Sequence, residues 1–192
     1  MTDTRFSPLQ PEHMSGEQKR VAEAIQGGPR GGLRGPFNAL LRSPELADRV
    51  QKVGEYIRFH SSLPTRLNEL AILIVARRWA AQFEWYAHHQ FAMKAGLDPA
   101  IAAAIAEGKR PNHMQDDEAA IYAFCTELLD TTQVSDATFR AVTERFGEQG
   151  VIDVIGALGY YSMVSMILNV DRYPLPQGVE PPLRPLPRRE RG

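Results

Sequence analysis

The chain has 192 residues, which is enough for one domain with a sizeable hydrophobic core. Its net charge of −1 and its 23% of charged residues give no global sign of a protein that binds nucleic acid or an anionic membrane. A single cysteine, Cys125, excludes an intrachain disulfide and a zinc site made of four cysteines. The first residues lack the apolar core of a signal peptide, and no apolar run approaches the ~20 residues that span a bilayer, so we expect a soluble cytoplasmic protein.

The first third of the chain predicts three helices around a glycine-rich loop. Ser15 and Gln18 have the spacing of a capping box, which predicts a helix to about Gln26. Residues 27–36 are half glycine and indicate a loop, and a short helix follows through Leu41. Ser43 is then predicted to cap a helix whose first residue is Pro44. This helix has an apolar stripe of Leu46, Val50, Val53 and Ile57.

The rest of the chain also has helical patterns. Residues 67–95 contain good helix formers without glycine or proline, and Gly96 ends this region. Further helices are predicted for residues 99–107 after an Asp98 cap, 116–129, 135–146 after a Ser135 cap, and 149–168. Since no segment alternates with period two, the sequence predicts one all-α domain over residues 1–173.

Residues 174–192 form a different segment, rich in proline and arginine. Proline at this density excludes a helix and favours an extended or disordered tail. The tail is either an arm that wraps a neighbouring subunit or an uncommitted end of the chain.

An acid and an imidazole lie together in the central helical region. Glu84 and His88 are four residues apart and share a helix face, an arrangement suited to moving protons near neutral pH. Glu69 would lie roughly 22 Å from Glu84 on one continuous helix, at 1.5 Å per residue. Either Glu69 is unrelated to the pair, as a partner for Arg77 or Arg78, or the chain turns between Arg77 and Phe83.

Three stretches together resemble one known family. They read Arg-Leu-Asn-Glu-Leu-Ala-Ile-Leu at residues 66–73, Arg-Trp-Ala-Ala-Gln-Phe-Glu-Trp-Tyr-Ala-His at 78–88 and Ala-Gly-Leu at 95–97. With residues 35–47 upstream, they are similar to the carboxymuconolactone decarboxylase family, in the superfamily that holds the AhpD-like alkylhydroperoxidases. The resemblance covers about residues 37–168. It implies a bundle of about seven or eight helices with a sharp turn between Arg77 and Phe83, assembled as a homotrimer or homohexamer.

The resemblance favours the decarboxylase-type branch over the thiol peroxidases. The AhpD-like members carry Cys-x-x-Cys before the histidine, and the matching positions here are Ala81 and Glu84. Without both thiols, dithiol peroxidase chemistry is not expected. The resemblance implies a lyase without cofactor or metal, acting on a small anionic lactone or oxo acid, as in aromatic-compound breakdown. Glu69, Glu84 and His88 are then the predicted catalytic residues.

Other residues have weaker claims to a function. Arg30 and Arg34 in the glycine-rich loop are predicted to clamp an anionic substrate, unless the loop is only a surface connection, and Asn38 is predicted to line the same pocket. His89 points about 100° away from His88 on a helix, so the two histidines and Glu84 lack a clean three-ligand face for a metal. His60 is either a charge partner at a helix end or part of the site.

Two alternatives to the lyase remain open. One is a non-catalytic, oligomeric binding module, in which aromatic side chains would fill the space around the tips of Glu84 and His88. The other is a redox protein that uses Cys125, which would require an exposed thiol with a low pKa near His88.

Overall fold

The computed structural model describes residues 4–186, which contain eight α-helices, a short 3-10 helix at Pro11–His13 and no strand. The all-α fold predicted from the sequence is therefore confirmed. The helices are α1 (Gly16–Gly27), α2 (Phe37–Leu40), α3 (Pro44–Phe59), α4 (Thr65–Arg78), α5 (Gln82–Lys94), α6 (Pro99–Ala106), α7 (Asp116–Thr131) and α8 (Asp136–Asp171).

Most of the predicted helix starts use the expected side chains. Ser15 and Gln18 form the reciprocal capping box of α1. Asp98 accepts a hydrogen bond from Ala100 N at the start of α6, and Ser135 accepts one from Thr138 N at the start of α8. The Ser43 side chain makes no capping bond, so α3 begins with proline at its first position and no side-chain cap.

Helix α8 joins the two last predicted helices into one element. Gly147, with φ of 67° and ψ of −179°, interrupts its helical geometry at the predicted boundary. By length and composition α8 alone among the described helices is apolar enough to cross a membrane, but 56% of its apolar window is buried within the protein. A core helix of a soluble protein has the same properties.

Helix α4 forms the centre of the bundle. Every residue from Leu67 to Arg77 is buried, and α4 packs against α5, α6, α7 and α8. A helix that is apolar on all its faces is stable only when it is surrounded by other elements. Glu69 therefore lies in the core, where an unpaired carboxylate would be costly.

A tight turn separates α4 from α5, within the interval in which the sequence predicts one. Helix α4 ends at Arg78, Ala80 takes a left-handed conformation with φ of 48°, and Ala81 N donates to Ala76 O at 2.9 Å. Helix α5 then begins at Gln82 and packs back on α4.

The proline-rich tail contains neither helix nor strand in residues 174–186, and it turns at Gly178, where Val179 N donates to Pro176 O at 3.1 Å. It docks on its own chain at the start of α5. Leu183 is 3% exposed, its N–H donates to Gln82 Oε1 at 3.0 Å, and Gln82 Nε2 donates to Leu183 O at 2.8 Å. Residues 187–192 lie outside the described part, so the role of the tail as an arm remains a prediction.

Candidate active site

The turn between α4 and α5 brings Glu69, Glu84 and His88 into one buried chain of contacts. His88 Nδ1 lies 2.7 Å from Glu69 Oε2, and His88 Nε2 lies 3.2 Å from Glu84 Oε1. All three side chains are buried. The imidazole is thus held between two carboxylates, one from its own helix and one from α4.

This environment favours the charged form of His88. Burial alone lowers the pKa of the imidazole, but the charges and hydrogen bonds of Glu69 and Glu84 outweigh burial and raise the pKa to about 9. At neutral pH the site therefore holds an imidazolium whose two N–H groups both point at carboxylates.

A cavity of about 650 Å³ opens onto one end of this chain of contacts. Glu84 and His88 line it, whereas Glu69 lies behind the imidazole. Its walls are rich in aromatic rings, contributed by Phe37, Phe83, Tyr86, Phe91, Tyr160, Tyr161 and Tyr173. A cavity of this size suits a small organic molecule.

Three arginines also line this cavity: Arg30, Arg34 and Arg58. Arg30 Nη2 lies 3.3 Å from Tyr160 Oη, and its guanidinium lies 5.3 Å from the centroid of the Phe37 ring. Within residues 4–186, none of the three forms an ion pair with a carboxylate. Three guanidinium groups without an ion-pair partner make the cavity attractive to an anion.

Tyr161 adds a buried hydroxyl next to the imidazole. Its ring meets the His88 ring edge-on with centroids 4.7 Å apart, and its Oη has no hydrogen-bond partner among the described residues. Burial raises the pKa of Tyr161 well above its usual value, so the hydroxyl stays protonated and can donate.

The other predicted site residues lie elsewhere. Asn38 does not line the cavity, because its side chain binds the N-terminal segment: Oδ1 accepts from Leu9 N at 2.9 Å and Nδ2 donates to Phe6 O at 3.1 Å. His89 stacks on Trp85 with ring centroids 6.3 Å apart, and His60 is an exposed residue at the end of α3.

Cys125 does not have the surroundings that a redox role requires. It is fully buried, and burial raises the pKa of its thiol far above the ordinary value.

Residues 4–186 do not contain a group of three or more His, Cys, Asp or Glu side chains that could hold a metal ion.

Arg58, Tyr160 and Tyr161 are among the cavity residues that the sequence did not predict. They come from α3 and α8, far along the chain from the Glu84–His88 pair, and only tertiary packing brings them together. Gly54 could have indicated part of this packing, because a glycine inside a well-patterned helix often marks a place where another group lies close to the backbone. A Cβ at Gly54 would lie 2.1 Å from Tyr160 Oη and 2.3 Å from Arg30 Nη2.

We therefore expect Gly54→Ala to displace the Arg30–Tyr160 pair and to lower the free energy of unfolding by about 1–3 kcal/mol, the usual cost of overpacking. Urea unfolding monitored by circular dichroism measures the change. Gly159→Ala is the matched control: it also lies within a helix, but its added Cβ meets nothing within 4 Å, so it should be neutral or stabilising by up to about 1 kcal/mol. Equal effects of the two substitutions would contradict this account of Gly54.

Comparison with known proteins adds no assignment. A scan against protein-family models gives no match, and a search of curated proteins gives no significant match. The case for a function therefore comes from the sequence motifs and from the geometry of the cavity.

Proposed function

We propose that this protein is a cofactor-independent carboxy-lyase of the carboxymuconolactone decarboxylase type. Its substrate would be a small carboxylated lactone or related oxo acid, and it would work as a homotrimer or homohexamer. The observation that carries the proposal is the buried Glu69–His88–Glu84 chain, whose Glu84 and His88 end opens into a cavity lined by arginines.

The chemistry needs an electron sink and a proton. When the bond between carbon and carboxylate breaks, CO2 leaves and the electron pair passes through the conjugated system to a carbonyl oxygen. Cationic His88 and the arginines stabilise that developing negative charge, and the Tyr161 hydroxyl is a further donor. A proton taken up from solvent then reaches the carbon through Glu84, so that one carboxylate is replaced by one hydrogen.

Glu84 is the group best suited to pass that proton. Both ring nitrogens of His88 contact carboxylates, which favours a role for the imidazolium in holding charge and orienting the carboxyl group of Glu84. Glu69, behind the ring, supports the charged imidazole. The alternative of a non-catalytic binding module has less support, because the tips of Glu84 and His88 reach an open cavity that aromatic side chains line without filling.

A screen of carboxylated lactones and oxo acids for CO2 release tests the proposal. We expect release by the wild type. Glu84→Gln should lose about 10²–10⁴ in kcat, the usual effect of removing acid–base catalysis. His88→Gln should lose about 10²–10³, because it removes a cation that stabilises the developing charge. His89→Gln is the matched control and should keep full activity, since His89 lies on the same helix but does not line the cavity. Circular dichroism verifies that each variant is folded.

Two outcomes would overturn the lyase assignment. One is that no compound in the screen releases CO2 with wild-type protein. The other is that folded Glu84→Gln and His88→Gln proteins turn over a confirmed substrate at the wild-type rate.

A further inference from the structure

A second cavity of about 630 Å³ lies at the C-terminal end of α4, between α4, α6 and α7. None of the residues that line it lines the first cavity. Its apolar wall comprises Ile74, Ile105, Leu129 and Leu186, and its cationic residues are Arg77, Arg78, Lys109 and Arg110. The lyase proposal makes no use of this region.

Arg77 is the residue of the second cavity that most strongly indicates an anion site. It is 8% exposed, and its Nε has no hydrogen-bond partner among the described residues. Its Nη1 donates to Arg184 O at 3.0 Å, which satisfies one donor without neutralising the charge. A buried cation is normally paired with an anion, because its desolvation is otherwise uncompensated.

The acidic residues nearby are already engaged with other cations. Arg78 contacts Asp130 at 2.6 Å, and Lys109 contacts Glu107 at 2.7 Å. Arg110 lies over the Tyr122 ring, 5.6 Å from its centroid. Within residues 4–186, neither Arg77 nor Arg110 forms an ion pair with a carboxylate, so both guanidinium groups can bind an external anion.

We propose that the second cavity binds a small organic anion, with its carboxylate on Arg77 and Arg110 and its apolar body against the Ile74–Ile105–Leu129 wall. The two guanidinium groups provide planar donors that match a carboxylate. The apolar wall would add affinity in proportion to the ligand surface that it removes from water. A ligand with both parts therefore binds better than either part alone.

Calorimetric titration of the full chain with octanoate tests this site. Inorganic phosphate provides an anion without an apolar body, and octylammonium provides the same chain with the opposite charge. We expect octanoate to bind in the second cavity even when Arg30→Gln weakens anion binding in the first cavity, and we expect phosphate and octylammonium to bind the second cavity at least tenfold more weakly. Arg77→Gln and Arg110→Gln should each weaken octanoate binding about tenfold or more, since each removes a charge-assisted contact.

Two control variants show which cavity holds the ligand. Arg30→Gln changes the first cavity and should leave the octanoate affinity of the second cavity unchanged, as should Arg140→Gln, which changes a cation that lines neither cavity. Arg77→Gln keeps a side-chain donor for Arg184 O, and its melting temperature shows whether it is folded. Arg110 provides an independent test at a more exposed position.

Three results would overturn the proposal: octanoate does not bind, octylammonium binds equally well, or Arg30→Gln abolishes binding while Arg77→Gln and Arg110→Gln do not. The last result would assign the ligand to the first cavity.

Discussion

Raising the pH from 6.5 to 9.5 is expected to lower the free energy of unfolding of this protein by about 3 kcal/mol, through the titration of His88. The pKa of His88 is about 9 in the folded state, against an ordinary value of 6.5 for the unfolded chain. A group with a raised folded pKa stabilises the protein fully below its unfolded pKa, and this stabilisation disappears as the pH rises through the folded pKa. A difference of about 2.5 pKa units corresponds to about 3 kcal/mol at 1.36 kcal/mol per unit.

Urea unfolding at a series of pH values measures this loss. The measurements are best made in a Cys125→Ala background, because a buried thiol that ionises only when unfolded also lowers stability once the pH exceeds the ordinary thiol pKa of 9.0. His88→Gln in the same background removes the titrating ring, so its unfolding free energy should change little between pH 7.5 and 9.5. Parallel pH profiles for the two proteins would show that His88 is not held in its charged form.

Arg66→Gln is expected to cost about 3 kcal/mol of stability at neutral pH. The Arg66 guanidinium forms an ion pair with Glu118 and lies 2.7 Å from Asp117 Oδ2, joining the start of α4 to the start of α7. Glu118 is 2% exposed, and its Oε2 accepts from Gln115 N at 2.7 Å. Removing Arg66 leaves the Glu118 carboxylate buried without its cation. An uncompensated buried charge destabilises a protein more than replacing both partners would.

A surface ion pair provides the control for Arg66. Arg49 Nη2 lies 2.6 Å from Glu45 Oε1, but both side chains are about three-quarters exposed. Arg49→Gln should therefore cost less than about 1 kcal/mol. Comparable losses for Arg49→Gln and Arg66→Gln in denaturant unfolding would mean that burial of Glu118 has no energetic consequence. Arg66 begins the stretch at residues 66–73, and its ion pairs are with acidic residues of α7.

The sequence predicted the fold well where it depends on interactions between residues close together in the chain. Helix caps such as Ser15 and Asp98 act through neighbouring backbone amides, so their residue types and spacing are sufficient to find them. The turn between α4 and α5 was harder to predict. Its left-handed residue is Ala80, and no glycine or asparagine marks it, so only the resemblance predicted a turn there.

The candidate site was predictable only in part. Glu84 and His88 share a helix face, and Glu69 joins them once the turn is assumed. Arg58 and Tyr161 reach the cavity because α3 and α8 form part of its wall. No local sequence pattern contains that information. Asn38 shows the opposite difficulty: it follows the loop in sequence, but its amide is used to hold the N-terminal segment.

The position of the turn also has a consequence for the order of folding. Glu69 and His88 are only 19 residues apart along the chain, so a single helical hairpin contains all three residues of the buried Glu69–His88–Glu84 chain. Contacts of short sequence separation form early, because little loop entropy opposes them. Arg30 meets Tyr160 across 130 residues and requires the docking of α8. In a kinetic experiment, protection of amides in α4 and α5 should therefore precede the formation of the first cavity.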